Sequence, residues 1–254
     1  MAQVYFIGAG PGDPELLTIK GKRIIERADV IIYADSLVNP EVCAFARDGV
    51  EIHRSASLSL EEITGIIEKA VKRGKVVARL QSGDPAIYGA IQEQMTILDE
   101  AGIEYEVVPG VSSLFAAAAA LKTELTVPEI SQTVIITRLE GRTPVPASES
   151  LKSLAAHRAS MAIFLSTSLV ESVAAELLEG GYPPKTPAAV VYKASWEDEA
   201  VVLTELKSLA ERVKTLGIKK QALILVGDFL ASKGKSAPSR LYAKEYRHEF
   251  RPSG

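Results

Sequence analysis

The segment Ser82-Gly83-Asp84-Pro85-Ala86-Ile87-Tyr88-Gly89 puts flexible backbone, one carboxylate and one aromatic ring side by side. It follows an apolar run, Val76-Val77-Ala78-Arg79-Leu80, that reads as a buried parallel strand, and it precedes a helical pattern from Ile91 to Leu98. Such a loop stands at the carboxyl edge of a sheet, where open α/β sheets bind ligands. A second loop of the same kind, Gly8-Ala9-Gly10-Pro11-Gly12-Asp13, follows the strand Val4–Ile7. Two Gly/Pro/Asp loops at two strand ends point to a small-molecule site.

The first loop of the chain is close to a dinucleotide fingerprint, and it fails at two positions. The third glycine of G-x-G-x-x-G would fall at Asp13, whose carboxylate repels a diphosphate. Pro11 removes a backbone N–H from the cradle. Asp13-Pro14-Glu15 reads instead as a helix start, with Asp13 as N-cap and Pro14 in the first turn. A sulfonium cofactor is a better electrostatic match, because its positive end suits carbonyl oxygens and carboxylates. Methyl transfer then needs chiefly in-line positioning and exclusion of water.

The elements around these loops alternate. Val4–Ile7, Val30–Tyr33, Glu51–His53, Val76–Leu80 and Tyr105–Val108 read as strands, and Glu15–Arg27, Leu60–Arg73, Ile91–Leu98 and Val111–Leu121 as helices. Ser59 is the expected N-cap of the second helix, and Gly74 lies just past its end. The alternation stops near Thr126-Val127-Pro128, since the residue before proline is driven toward extended geometry. We therefore expect domains at 1–124 and 125–254. In the second, Val134–Thr137, Ala162–Leu165, Ala188–Tyr192, Val201–Leu203 and Leu223–Val226 read as strands. Helices are expected near Glu149–His157, Leu169–Leu178 and Glu205–Leu216. No helix fits between Tyr192 and Val201, so those strands pair as a hairpin. The expected fold class is α/β: two α/β domains, the first with a mostly parallel sheet, the second with a mixed sheet, and a ligand cleft between them.

Bulk properties narrow the function further. The 254 residues are 47% hydrophobic and 24% charged, ordinary for a globular protein. A net charge of −3 gives no field to attract nucleic acid or a membrane surface, so an anionic substrate needs a local cluster of cations. Cys43 is alone, which excludes an internal disulfide. The run Leu114–Leu121 is far short of the ~20 residues that span a bilayer. Met1-Ala2-Gln3 leads directly into a strand, without a signal peptide, and we expect a cytoplasmic protein.

Four ordered segments carry a resemblance: Val4–Gly21 (VYFIGAGPGDPELLTIKG), Ala28–Val38 (ADVIIYADSLV), Arg79–Gly89 (RLQSGDPAIYG) and Val107–Ser113 (VVPGVSS). Together they resemble the tetrapyrrole methylase family nearly end to end. The resemblance implies two α/β domains, S-adenosylmethionine as cofactor with S-adenosylhomocysteine as product, and a homodimer. Further segments resemble the branch that methylates carbon 11 of precorrin-4 or cobalt-precorrin-4 in corrin synthesis. These are Tyr33–Val38, Thr126–Glu129, Ile136–Pro146 and Ser239-Arg240-Leu241-Tyr242, followed by His248 and Arg251.

By that resemblance Pro11, Ser82, Gly83, Asp84, Ile87, Tyr88, Ser112 and Ser113 line the cofactor pocket. Leu165, Tyr192, Ala194 and Ala222 enclose the adenosine, with Leu165 standing where many relatives carry methionine. Asp84, Ser112 and Ser113 also have a plain alternative as helix caps. Asp35 is the candidate for proton handling, against the alternative that it satisfies backbone donors after the second strand. Lys20, Arg54, Arg138 and Arg142 are candidates for the acetate and propionate groups of a tetrapyrrole, arginine's planar fork being suited to carboxylates. His53, His157 and His248 show no metal-ligand spacing, and no protein metal site is expected. His53, beside Arg54, has the substrate within conceivable reach. Rival readings are another methylase of the pathway (C-17, C-20 or uroporphyrinogen III), an RNA or protein methylase, an NAD-dependent oxidoreductase and a non-catalytic cofactor sensor.

Overall fold

The computed structural model describes residues 3–232 and Arg247. The Ser239–Tyr242 motif, His248 and Arg251 lie outside the described residues. The chain divides into two compact units, Met1–Ala117 with Lys193–Glu199, and Ala118–Tyr192 with Ala200–Gly254. The division thus falls a few residues before the proline-marked boundary at 124, and it assigns a short segment of the second half to the first unit.

In the first unit, β1 (Val4–Gly8), β2 (Val30–Tyr33), β3 (Glu51–Arg54), β4 (Val77–Gln81) and β5 (Tyr105–Val108) form one sheet. Its order is β3-β2-β4-β1-β5 and every pairing is parallel. Every residue of β1, β2 and β4 is buried, as the central strands of a parallel sheet with both faces covered must be. On one face Ile24 and Ile25 of α1 (Ile19–Arg27) pack with Ile7, Ile31 and Leu80. On the other, Ile63 and Ile67 of α2 (Leu60–Val71) pack with Phe6, Ile32 and Val77, each buried isoleucine worth about 1.5–3 kcal/mol. Ser59 and Glu62 close a full capping box at the start of α2, and Gly74 takes φ +70° just past its end.

The helix expected from Glu15 to Arg27 is divided. Asp13 caps a 3-10 turn over Pro14–Leu16, and Thr18 then accepts from Gly21 N at 3.1 Å and opens α1 at Ile19. From β1 the chain crosses toward β2, while from the adjacent β4 it crosses the other way, through α3 (Gln92–Glu100), to β5. The neighbouring β1 and β4 therefore mark the switch point of the sheet, and their carboxyl ends carry the two glycine loops. A further helix, α4 (Ser113–Leu121), follows β5.

In the second unit, β6 (Val134–Arg138), β7 (Ser160–Phe164), β8 (Pro187–Tyr192), β9 (Ala200–Glu205) and β10 (Ala222–Val226) are ordered β6-β7-β10-β8-β9. Only β6 and β7 run parallel, so the sheet is mixed. As read from the sequence, β8 and β9 pair antiparallel, with Tyr192 opposite Ala200. The helices α5 (Leu151–Ala155) and α7 (Leu209–Thr215) are shorter than expected because 3-10 turns precede them, whereas α6 (Val170–Glu179) keeps its expected length, shifted by one residue. The strand read as Ala162–Leu165 is shifted to 160–164. Leu165 leaves it with φ +54°.

Candidate functional site

The three loops at the carboxyl ends of β1, β4 and β5 are fastened through backbone. Gly10 N donates to Gly83 O at 3.3 Å and Gly83 N to Gly10 O at 2.8 Å. A Cβ on Gly8 would lie 2.4 Å from Gly110 Cα and 2.6 Å from Gly83 O, so these glycines are required for contact between loops. Asp84 binds the arrangement from both sides: Oδ1 accepts from Ala86 N at 2.8 Å and Oδ2 from Gly110 N at 2.9 Å. Asp84 therefore does not cap α3, whose N-cap position is Ile91 with no side-chain cap bond; its carboxylate closes a local turn and ties in the loop after β5. Ser112 is buried, its Oγ accepting from Leu114 N at 3.3 Å, and Ser113 opens α4.

This wiring engages three of the loop's backbone donors, and Pro11 lacks a fourth, which leaves little of a diphosphate cradle. Ala9 N bonds Gln81 O at 2.7 Å, Gly10 N bonds Gly83 O, Asp13 N bonds Ser195 Oγ at 3.0 Å, and Pro11 has no N–H. What the loops offer is carbonyl and carboxylate oxygen, which suits a cationic donor and not a diphosphate. Tyr88 and Ala90, close by, hold φ of 55° and 48°, a backbone state that side-chain-bearing residues rarely adopt and that concentrates at ligand sites. The Tyr88 side chain is 44% exposed, and Ile87 beside it is half-buried.

Two residues absent from the sequence reading complete the first unit's loops. The indole Nε1 of Trp196 donates to Pro11 O at 2.9 Å, and its ring fills the space beside Gly12, where a Cβ would approach to 2.1 Å. Ser195 accepts from Asp13 N and takes φ +69°. Ala194 is buried in the same segment. A tryptophan directly after a strand end in a connection too short for a helix was the available signal, and nothing in sequence spacing links it to Pro11.

In the second unit, the antiparallel register sets Tyr192, the end of β8, opposite Ala222, the start of β10, and β7 ends at the same sheet edge beside Leu165. Leu165 is 65% exposed and backbone-strained, an unusual state for a leucine at a strand end. Thr167 Oγ1 donates to Ala222 O at 3.1 Å and ties these ends together. Arg138 ends β6 at this edge, yet its guanidinium holds its own loop, donating to Thr143 O at 3.1 Å and Pro144 O at 2.7 Å.

The other candidate cations differ in availability. Lys20 is ion-paired with Glu106. Arg54, at the carboxyl end of β3, and Arg142 are exposed, with no carboxylate in ion-pair range among the described residues. His53 Nε2 lies 2.8 Å from Glu51 Oε1, and that contact with Lys75 holds the Glu51 carboxyl below its usual range. Asp35 is exposed, and Oδ1 accepts from Ala56 N at 2.9 Å, so the structural alternative is realised for one of its oxygens. Among the described residues no group of His, Cys, Asp and Glu could hold a metal ion.

The model of the Tetrapyrrole (Corrin/Porphyrin) Methylases matches residues 3–210. The chain belongs to this family. It is 58% identical to a cobalt-precorrin-4 C(11)-methyltransferase of Methanocaldococcus jannaschii, over 99% of this chain and 96% of that protein. It is 47% identical to a precorrin-4 C(11)-methyltransferase of Pseudomonas aeruginosa, over 98% of both chains. Among solved structures, a cobalt precorrin-4 methyltransferase aligns with a TM-score of 0.87 at 50% identity, covering 89% of this chain and 95% of that one. A uroporphyrin-III C-methyltransferase of Thermus thermophilus, complexed with S-adenosylhomocysteine, aligns at 0.77 and 30% identity, covering 90% and 93%. A tetrapyrrole methylase needs a pocket for a sulfonium donor, and the acceptor-rich loops around Gly10, Gly83 and Asp84 fit that requirement.

Proposed function

We propose that this methylase transfers a methyl group from S-adenosylmethionine to carbon 11 of precorrin-4 or its cobalt complex, toward the precorrin-5 stage of corrin synthesis. The observation that carries this reading is the end-to-end identity with enzymes bearing that name, joined to loops whose oxygens suit a sulfonium. When bound, the cofactor supplies an electrophilic methyl group. The chain's own work is to hold it: Pro11, Ser82, Gly83, Asp84, Ile87, Tyr88, Ser112, Ser113 and Ala194 at the first sheet's carboxyl edge. Leu165, Tyr192 and Ala222, from one edge of the second sheet, are assigned to the adenosine.

Methylation at carbon leaves a proton to be lost or relocated, and Asp35 is assigned that task. Its Oδ1 is oriented by Ala56 N, which fixes the carboxylate. The substrate's acetates and propionates are assigned to Arg54 and Arg142 with Lys20 and Arg138 beside them in the reading. Of these, Arg54 and Arg142 are the pair that no oxygen of the described residues engages. A homodimer in the cytoplasm fits this reading. Val201 and Leu203, exposed on the edge strand β9, are apolar positions that a second copy would cover.

Incubation with precorrin-4 or cobalt-precorrin-4 and isotopically labelled cofactor, followed by location of the label in the product, tests the proposal. Label at C-11 supports it. Label at C-17 or C-20, or methylation of ribosomal RNA with none on tetrapyrroles, overturns it.

A further inference from the structure

Gln81, the last residue of β4, is 6% exposed, and its side-chain Nε2 has no hydrogen-bond partner among the described residues. Among buried side-chain nitrogens and oxygens of the described residues it stands alone in this. Buried amides are almost always paired, so such an atom asks for an acceptor that the described residues do not supply. The position is the switch point of the sheet. Gln81 is in register with Gly8, and the register that pairs Tyr33 with Leu80 brings Ala34 alongside on the other flank. Neither neighbour has a side chain able to meet the amide. Its backbone carbonyl is engaged, since Gln81 O accepts from Ala9 N.

Two residues earlier on the same face stands Arg79, about 6–7 Å along the strand. It is 5% exposed, and its guanidinium donates to neutral acceptors: Gln94 Oε1 at 3.2 Å, Ser55 Oγ at 3.0 Å and Ile32 O at 3.4 Å. No carboxylate of the described residues is in ion-pair range of it. Burial without a counter-charge lowers its pKa to about 10, which leaves it charged at neutral pH. A buried arginine is ordinarily paired with a carboxylate. Here one face of β4 ends in an uncompensated positive charge and an unmatched donor, both at the ligand-binding edge.

We infer that Gln81 Nε2 donates to a carboxylate oxygen of the bound ligand, with Arg79 supplying the positive potential beneath it. The inference rests on the methylase reading, and two sources bring this chemistry: the amino-acid end of the methyl donor and an acetate or propionate of the tetrapyrrole. Gln81→Leu keeps the volume and removes the donor, and Gln81→Glu keeps the shape and adds a repelling charge. Each is titrated with S-adenosylhomocysteine and with methylthioadenosine, which lacks the amino-acid portion, and assayed for the tetrapyrrole KM. A loss of about tenfold for S-adenosylhomocysteine with methylthioadenosine unchanged assigns the donor's carboxylate. A similar rise in tetrapyrrole KM with both nucleosides unchanged assigns the substrate's. Gln81→Glu must be worse than Gln81→Leu in whichever arm responds.

Leucine relieves an unmatched donor, so the melting temperature is expected to hold or rise; should Gln81→Leu not fold, Gln81→Met makes the same comparison. Variants that match wild type in all three titrations overturn the inference and leave the methylase reading intact. Wild-type protein that binds no S-adenosylhomocysteine removes both.

Discussion

Trp196 and Pro11, 185 positions apart, are joined by a 2.9 Å hydrogen bond from the indole Nε1 to the Pro11 carbonyl. The bond fixes the loop after β1 from outside its own sheet. Trp196→Phe keeps most of the packing and loses the hydrogen bond, for an expected cost of about 1 kcal/mol in urea unfolding. The loosened loop is expected to weaken S-adenosylhomocysteine binding as well. Gly12→Ala, whose Cβ would sit 2.1 Å from the ring, should do so more severely, because the indole must leave. Unchanged affinity in both variants would show that the loop keeps its shape without the clasp.

Asp84 ties two loops, so its substitutions separate charge from shape. Asp84→Asn retains an acceptor for Ala86 N but turns an amide NH2 toward Gly110 N, whose bond at 2.9 Å is then lost. One charge-assisted backbone bond is worth about 1.5–3 kcal/mol, and the melting temperature should fall accordingly. Donor binding should fall with it by calorimetry. A variant as stable as wild type would mean that the two loops are held by their glycine contacts alone.

Legibility from sequence followed the range of the interactions. The central strands were readable because burial on both faces demands unbroken apolar runs such as Val30-Ile31-Ile32-Tyr33. The start of α2 was readable because Ser59 and Glu62 cap each other locally. Asp13 was identifiable as a cap for the same reason, although Thr18 restarts the helix and moves its true beginning to Ile19. The pairing of β8 with β9 was visible in the spacing, but the attachment of Lys193–Glu199 to the first unit was not. That attachment depends on Ser195 and Trp196 meeting Asp13 and Pro11, contacts with no local periodicity. For the same reason Arg138 read as a free cation, although it is spent on the carbonyls of Thr143 and Pro144.

Asp35 has a structural bond and an assigned chemical task, and one pair of variants distinguishes them. Asparagine preserves the oxygen that accepts from Ala56 N at 2.9 Å and cannot take a proton, whereas alanine removes both functions. Proton handling predicts that Asp35→Asn lowers kcat by about 10²–10⁴ with donor affinity and melting temperature unchanged. If Asp35→Asn keeps full turnover and only Asp35→Ala is impaired, the carboxylate is a loop fastener.

Tyr182 gives the second unit a defined alkaline limit. It is 3% exposed, and its hydroxyl donates to Ala159 O at 2.5 Å. Burial, and then the negative charge of Asp228, raise its pKa from 10.0 to about 12. The folded state therefore holds the phenolic proton more tightly than the unfolded chain does. Its stabilising contribution is complete below pH 10 and is lost as the pH climbs from 10 through 12. Arg79 acts oppositely over an overlapping range: burial lowers its pKa to about 10, so its burial penalty is relieved as the pH rises above that value. Comparison of wild type with Tyr182→Phe isolates the tyrosine, since Arg79 is common to both. Denaturant midpoints measured across this range should fall less steeply for Tyr182→Phe, and phenolate absorbance should show one fewer late-titrating tyrosine. Parallel slopes in the two proteins would mean that the proton is not linked to folding.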